Sequence, residues 1–252
     1  MDRFNLYAAY YNLLYEDKDY QSEVNYILQL FERHSLSPLK NVLDLGCGTG
    51  IHANLLSKLG CNVDGVDAST RMIEQAENTF GNNQLLNFYV DDIIEFNSNK
   101  TYDLVTSLFH VISYQNTNIE LLKSFETAYN HLENQGLFIF DFWYGPGVLT
   151  ERPEMRIKEL ENNKIVVKRK ALPRLFINEN VVDVNYEIDI LDKYSGSSES
   201  IKEKHSMRYF FIKELAFYLE SSGFKMADFF EWMTFDKPND SCWNAVVIAK
   251  KI

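Results

Sequence analysis

The chain has 252 residues, of which 46% are apolar and 24% are charged, and its formal net charge is −11 at pH 7. These proportions are typical of a globular protein with a sizeable core, so disorder is not expected. Nucleic-acid binders carry clustered Lys and Arg, and this acidic chain has no such block, which argues against a nucleic-acid partner.

The first residues also lack the features of a targeting or membrane segment. No basic start precedes an apolar run, and no stretch reaches the roughly 20 apolar residues that span a bilayer. We therefore expect a cytoplasmic protein without a membrane partner, as a monomer or homodimer. Cys47, Cys61 and Cys242 form no Cys-x-x-Cys and accompany no histidine cluster at metal spacing. We therefore predict buried reduced thiols, and a catalytic cysteine is the alternative.

Helices and strands are predicted to alternate after residue 40. The first forty residues predict helices, because Val24, Ile27 and Phe31 recur at helical spacing and Pro38 ends the segment. The predicted strands that follow are "NVLDLG", "CNVDGVD", "LLNFYV", "YDLVTSLF" and "GLFIFDFW", and the predicted helices are "IHANLLSKLG", "STRMIEQAENTFG" and "NIELLKSFETAYNHL". Repeated β-α units of this length predict a parallel sheet with helices on both faces.

The pattern changes between residues 145 and 206. The segments "NKIVVKRKALP", "ENVVDVNYEIDILD" and "SESIKEKHSMRYF" are β-branched and alternating, with polar turns between them. We predict an antiparallel β insertion that forms a substrate-side cap on a single domain, residues 1–252. The helix "IKELAFYLESSGF" and the strands "MADFFEW" and "NAVVIAKK" are predicted to complete that domain.

The glycine-rich stretch "NVLDLGCGTG" favours one nucleotide class over another. Its pattern is G-x-G-x-G, and Ile51 stands where the third glycine of the dinucleotide fingerprint would fall. Asp44, two residues before Gly46, would repel a pyrophosphate but would suit a cation such as the ammonium or sulfonium of S-adenosylmethionine. An NAD-dependent oxidoreductase is therefore disfavoured, and a non-catalytic protein that senses the cofactor is a further alternative.

Two later acidic residues fit the same type of ligand. Asp67 ends the second predicted strand, 21 residues after Gly46, where a carboxylate can accept from both ribose hydroxyls. Asp92 follows the third strand, where it could accept from an adenine amino group while the Ile93 N–H donates to the ring.

These segments also resemble a known family. "VLDLGCGTG", "VDGVDAS" followed by "RMIEQAE", "VDDIIEF" and "YDLVTSLFHVISY" look like the successive motifs of class I S-adenosylmethionine-dependent methyltransferases, from about residue 41 to 142. The resemblance implies an α/β, Rossmann-like, doubly wound sheet of seven strands with the last strand antiparallel, and S-adenosylhomocysteine as the product. The cofactor-binding residues expected from the residues and the resemblance together are Tyr11, Tyr20, Asp44, Gly46, Cys47, Gly48, Asp67, Ala68, Met72, Asp92, Ile93 and Leu108.

A looser resemblance covers nearly the whole chain. "YYNLLYEDKDY", "LFHVISY", "FDFWYGPGV" and an insertion ending in "KHSMRYF" are similar to nucleotide-sugar N-methyltransferases of deoxyamino-sugar pathways. It places Tyr11 near the transferred methyl and Tyr114 where those enzymes carry a His or Tyr facing the substrate, although their "GH" or "GY" motif is "SY" here. The acceptor implied is the amino group of a nucleotide-linked amino sugar, and a sugar hydroxyl or another small amine or carboxylate is the alternative.

Few side chains are available for acid–base chemistry and acceptor binding. His110 follows the fourth strand, at the sheet edge where open α/β sheets bind ligands, so it is a candidate base or acceptor-orienting group. Tyr114 is a candidate to orient the acceptor, and packing is its structural alternative. The predicted catalytic set is His110, Tyr114 and Tyr11, and the predicted substrate-binding set is Trp143, Tyr144, His205 and Arg208.

Overall fold

A computed structural model of the protein describes Tyr10 and residues 13–252. The chain divides into two compact units, a larger one of residues 20–151 and 208–252 and a smaller one of residues 152–207 with the segment before position 20. That residues 1–252 form a single domain, with residues 145–206 as a substrate-side cap, stays a prediction. No helix within the described ranges is long and apolar enough to cross a membrane.

The sequence predicts ten strands, and the described residues contain eleven, together with six α-helices. In chain order they are α1 (Tyr20–His34), β1 (Asn41–Leu45), α2 (Ile51–Ser57), β2 (Asn62–Asp67), α3 (Thr70–Phe80), β3 (Leu86–Val90), β4 (Tyr102–Ser107), α4 (Asn118–Asn130), β5 (Leu132–Tyr144), α5 (Gly145–Thr150), β6 (Arg156–Glu161), β7 (Ile165–Phe176), β8 (Val181–Asp192), β9 (Ser198–Phe210), α6 (Ile212–Ser221), β10 (Phe224–Glu231) and β11 (Asn244–Lys251).

The larger unit is built on an open sheet in the order β3-β2-β1-β4-β5-β11-β10. Strands β1 to β5 pair in parallel, whereas β11 runs antiparallel to both β5 and β10. The predicted Rossmann-like sheet of seven strands with an antiparallel last strand is therefore confirmed. Its order reverses between β1 and β4, and ligands of open α/β sheets bind beyond the carboxyl ends of the strands at such a point.

Both faces of this sheet are covered by apolar packing. On one face, Ile27 and Leu30 of α1 belong to a buried cluster that also contains Val42 of β1. On the other face, Phe125 of α4 packs against the rings of Phe138 and Phe140. Since both sides are buried, β5 and β11 carry continuous apolar runs, "LFIF" and "AVVIA", rather than alternating ones.

The helices that border the carboxyl edge begin at residues suited to capping. The Ser69 hydroxyl accepts from the Met72 N–H at the start of α3. At the start of α4, Thr117 and Glu120 form a reciprocal capping box. Such caps satisfy the first unpaired N–H groups of a helix, so the loops that precede α3 and α4 have defined ends.

The smaller unit is an antiparallel sheet with its own core. Strands β7 and β8 form a long hairpin that pairs from Ile165 opposite Asp192 to Phe176 opposite Val181, and β6 adds to β7. Val167 and Ile190 are fully buried in a cluster that also includes Tyr10. The three strands predicted for residues 163–210 are therefore present. The last three residues of β9 lie in the larger unit, and the final two pair with Trp143 and Tyr144 of β5.

Two elements were not predicted. Strand β6 is almost entirely solvent-exposed, so it lacks the apolar alternation that marks a half-buried strand. Helix α5 has the sequence "GPGVLT", whose two glycines and one proline favour a turn, although Pro is well tolerated in the first helical turn.

Candidate cofactor and acceptor site

The glycine loop lies between β1 and α2. Gly46 and Gly48 have φ angles of 81° and 55°, in the left-handed region that side chains with a Cβ adopt at a cost. The Gly46 and Cys47 N–H groups donate to the carbonyl of Val66, at 2.7 and 2.9 Å, which ties the loop to β2. A Cβ on Gly46 would lie 2.5 Å from a methyl carbon of Val111, whereas nothing lies within 4 Å of one on Gly48.

Asp67, at the end of β2, connects this loop to the next helix. Its Oδ2 accepts from the Gly48 N–H at 2.9 Å, and its Oδ1 accepts from the Ser69 N–H at 2.8 Å. Both oxygens retain further lone pairs, so the carboxylate can still accept from hydroxyl groups. The next residue, Ala68, is exposed, and Met72 on α3 is partly exposed.

The end of β3 offers a short polar turn. Asp92 is exposed and its Oδ1 accepts from the Ile94 N–H at 3.1 Å, while Ile93 is buried beneath it. Val90, at the last position of β3, is half-exposed. A polar turn beside an exposed apolar side chain suits the edge and face of a flat heterocycle.

Asp44 is a buried carboxylate with one satisfied oxygen. Its Oδ1 accepts from the Thr106 hydroxyl at 2.7 Å. Its Oδ2 is fully enclosed and has no hydrogen-bond partner among the described residues. Burial raises the pKa of this carboxyl above its ordinary value. A buried acceptor oxygen left unpaired is costly, so the arrangement fits a cation that arrives with a ligand.

The turn after β4 carries His110. The backbone N–H of His110 donates to both carboxylate oxygens of Asp141 in β5, at 3.1 and 3.2 Å. Its Nδ1 lies 2.6 Å from Oδ2 of Asp141, an ion-pair distance, although the alignment falls short of a full hydrogen bond. The side chain of Asp141 is 1% exposed and that of His110 is 18% exposed. Val111, next in the chain, packs on Gly46, so this turn and the glycine loop adjoin.

The glycine loop, three carboxylates at the carboxyl ends of β1, β2 and β3, and a histidine after β4 thus occupy one edge of the sheet. Residues 42–136 match the family described as methyltransferase domain. This segment is an S-adenosylmethionine-dependent methyltransferase domain.

Individual relatives extend the likeness to more of the chain. A malonyl-[acyl-carrier protein] O-methyltransferase of Ilyobacter polytropus is 27% identical over 69% of this chain and 62% of its own length. A dTDP-3-amino-3,4,6-trideoxy-alpha-D-glucopyranose N,N-dimethyltransferase of Streptomyces venezuelae is 28% identical over 56% of this chain and 58% of its own length. The chain thus spans about three-fifths of the length of these relatives. A solved S-adenosylmethionine-dependent methyltransferase of Clostridium acetobutylicum shares the fold over 99% of both chains, with a TM-score of 0.82 and 23% identity.

The other cofactor residues expected for a methyltransferase domain lie in the same region. Cys47 and Leu108 are buried at the ends of β1 and β4. The ring of Tyr20, at the start of α1, lies edge-on to the ring of His52 at 5.0 Å. Burial, with a further contribution from the nearby Glu23 carboxylate, raises the pKa of Tyr20 to about 12, so its hydroxyl is neutral. Tyr11 lies outside the described residues.

Aromatic side chains border His110 of the methyltransferase domain. The Trp143 ring lies edge-on to His110 at 6.4 Å and to Trp243 at 5.3 Å. Tyr144 is half-buried at the start of α5, and Tyr114, which ends the turn after β4, is 44% exposed. Accessible rings beside a polar group are suited to stacking on a sugar or a base.

The remaining two predicted substrate residues have protein partners. Arg208 is buried, and its guanidinium donates to Glu214 at 2.6 Å and to Asn118 at 2.8 Å. A phosphate would have to compete with that carboxylate. His205 belongs to the smaller unit, where its Nε2 lies 3.4 Å from Glu203 and its ring meets the Tyr186 ring edge-on.

One site residue was missed by the sequence reasoning, namely Asp141. It is the only charged residue in "GLFIFDFW", and a lone carboxylate within a fully buried strand is the signal that could have revealed it.

Proposed function

We propose that the protein transfers a methyl group from S-adenosylmethionine to the amino group of a nucleotide-linked amino sugar, and that it acts in the cytoplasm as a monomer or homodimer. The observation that carries the donor half is the unpaired, buried Oδ2 of Asp44 beside the glycine loop of a methyltransferase domain. The acceptor half is supported by the likeness to a dTDP-amino-sugar N,N-dimethyltransferase.

The donor would be held by residues along the sheet edge. Asp44 would face its cationic groups, directly or through water, and Gly46, Cys47 and Gly48 would border its methionine part. Asp67 would accept from the ribose hydroxyls. Ala68 and Met72 would flank the adenine and the Asp92–Ile93 turn would meet the edge of that ring, with Tyr11, Tyr20 and Leu108 completing the enclosure.

The chemistry required of the chain is alignment and proton removal. The bound donor supplies a methyl group already activated by its sulfonium, so the protein mainly orients the acceptor and excludes water. An amino sugar is protonated in neutral water, and the attacking nitrogen must be neutral. In this proposal His110 would accept the proton and the hydroxyls of Tyr114 and Tyr11 would orient the acceptor. The proposed acceptor contacts are Trp143, Tyr144, His205 and Arg208.

A second candidate acceptor is a carboxylate or hydroxyl of a small metabolite. The likeness to a malonyl-[acyl-carrier protein] O-methyltransferase favours a carboxylate. A carboxylate is already an anion at neutral pH and needs no base, so this alternative predicts that removal of His110 leaves the rate nearly unchanged. A sugar hydroxyl, by contrast, would depend on a base even more than an amine does.

Two measurements test the proposal. In a thermal-shift assay, S-adenosylhomocysteine should raise the melting temperature and NAD should not; stabilisation by NAD alone would overturn the donor assignment. Labelled donor is then offered with a dTDP-3-amino sugar, its 3-hydroxy counterpart and malonyl-[acyl-carrier protein]. A mass increase of one or more methyl groups on the amino sugar alone supports the proposal. Transfer only to the 3-hydroxy sugar, or only to malonyl-[acyl-carrier protein], would overturn the amino sugar as acceptor and put that compound in its place.

A further inference from the structure

The turn that carries His110 has an unusual backbone. Phe109 and His110 are consecutive non-glycine residues with φ angles of 68° and 64°, both in the left-handed region. Such conformations are strained and persist only where surrounding contacts hold them, and they concentrate at functional sites. One contact that holds His110 in this conformation is the Asp141 carboxylate, which accepts the backbone N–H of His110 with both oxygens.

The same carboxylate also faces the imidazole ring. Nδ1 of His110 is buried and lies 2.6 Å from Oδ2 of Asp141. The ring is flanked by Phe109, stacked at 5.7 Å, and by Trp143, edge-on at 6.4 Å. With Nδ1 turned toward a buried anion, Nε2 is the ring nitrogen left for an incoming molecule. Hydrogen bonds of catalytic groups often align fully only when the substrate is bound.

We propose that Asp141 is a positioning residue that acts through His110, an inference that rests on the proposed function of that histidine. Asp141 holds the Nδ1–H tautomer, so that Nε2 presents a lone pair to the acceptor. As the acceptor nitrogen bonds to the methyl carbon, the electrons of the breaking C–S bond stay on sulfur. His110 Nε2 has by then taken the proton that made this nitrogen an ammonium, and the Asp141 carboxylate stabilises the imidazolium that forms.

The substitution Asp141→Asn separates the backbone contact from the ring contact. The side-chain oxygen of the asparagine can still accept the backbone N–H of His110. The NH₂ group of the asparagine would donate to Nδ1 of His110 and favour the tautomer whose Nε2 carries the proton. We expect kcat to fall by about 100-fold, the lower range for a positioned base, with S-adenosylhomocysteine affinity and melting temperature close to wild type. Asp103→Asn is the matched control, because Asp103 accepts two backbone N–H groups, of Lys40 and Asn41, and faces no ring in those contacts.

A double variant tests whether Asp141 acts through His110. If it does, Asp141→Asn should slow a His110→Ala enzyme by less than twofold, because the base that it positions is already gone. Equal effects of Asp141→Asn in both backgrounds would show a purely structural role and overturn the inference. A His110→Ala enzyme that is as fast as wild type would overturn the proposed role of His110 as well.

The tautomer can be measured without any acceptor. In ¹⁵N-histidine-labelled protein at mildly alkaline pH, where an ordinary imidazole is neutral, His110 should show a protonated Nδ1 and an unprotonated Nε2. The His110→Ala spectrum assigns its signals, and Asp141→Asn should move them toward the opposite tautomer. A protonated Nε2 in the wild type would overturn the inference. The expected spectrum together with no transfer to the amino sugar would reject the proposed acceptor alone.

Discussion

Nε2 of His52 lies 2.7 Å from Oε2 of Glu23, and the two side chains are only 9% and 10% exposed. Glu23 lies in the first turn of α1, and His52 lies in the first turn of α2, directly after the glycine loop. The pair therefore fastens the first described helix to the helix whose start would border the cofactor.

Removing one member of this pair should destabilise the protein. Glu23→Ala leaves a buried imidazole without its carboxylate, and we expect a loss of about 3 kcal/mol in the free energy of unfolding, measured by urea denaturation. Glu23→Gln keeps an oxygen acceptor and should lose less. In a double variant with His52→Ala, the loss should be smaller than the sum of the two single losses. Additive losses would show that the two side chains are not coupled.

The buried carboxylate of Asp44 should make stability depend on pH. Burial raises its pKa in the folded state, so the folded protein binds more protons than the unfolded chain between the two pKa values. Stability contributed by this residue therefore falls as the pH rises from about 4, the ordinary value, to the raised folded value. Asp44→Asn cannot ionise, and its free energy of unfolding should change less than that of wild type across this window.

The same substitution should weaken donor binding. Loss of a charged acceptor typically costs about 1.5–3 kcal/mol, so S-adenosylhomocysteine should bind roughly 10- to 100-fold more weakly to Asp44→Asn in calorimetry. A variant that binds the ligand as tightly as wild type would show that the unpaired oxygen does not face it.

Asp67 offers a sharper test of the ribose contact. Asp67→Asn retains a single acceptor oxygen for the two N–H groups of Gly48 and Ser69, so the loop and the ribose would compete for it. We expect about 10-fold weaker S-adenosylhomocysteine binding. Asp91→Asn is a suitable control, since Asp91 lies at the end of β3 and its Oδ1 accepts from the Asp92 N–H alone among the contacts seen. If both variants lost the same S-adenosylhomocysteine affinity, the cause would be the change in net charge rather than a specific contact with Asp67.

The larger unit could be predicted because residues next to each strand or helix in the sequence mark where that element begins or ends. Buried runs such as "NVLDLG" end at glycines, and the Ser69 cap precedes an amphipathic segment, so the β-α alternation is visible in the sequence. The carboxylates at strand ends, Asp44 and Asp67, could be placed for the same reason, since the ends of parallel strands meet at one edge.

Side-chain pairs that join distant segments could not be predicted. Asp141 contacts His110 across 31 residues, at a position where the His110 backbone is left-handed. A histidine in the sequence does not predict that conformation. Arg208 is predicted to bind the substrate, and its guanidinium also contacts Asn118, 90 residues earlier, and Glu214, which the sequence does not indicate. Such contacts depend on tertiary packing, which overrides local preference.

The close approach of Gly46 to Val111 predicts a reversible defect. Gly46→Ala would force a methyl group to within 2.5 Å of the Val111 side chain, displacing the turn that carries His110. Gly48→Ala is the matched control, because Gly48 shares the left-handed backbone but has no neighbour within 4 Å. Both variants bear the backbone strain, about 1–2 kcal/mol, so the difference between them measures the clash.

We expect Gly46→Ala to melt at a lower temperature and to lose most of its methyl transfer, whereas Gly48→Ala should mainly lose affinity for S-adenosylhomocysteine. Shortening the Val111 side chain tests whether the clash causes the defect. In the double variant Gly46→Ala/Val111→Ala, the space vacated by the valine accommodates the new methyl group, and activity should return toward that of Val111→Ala alone. If the double variant remains as impaired as Gly46→Ala, the defect comes from backbone strain and not from contact between the glycine loop and the turn after β4.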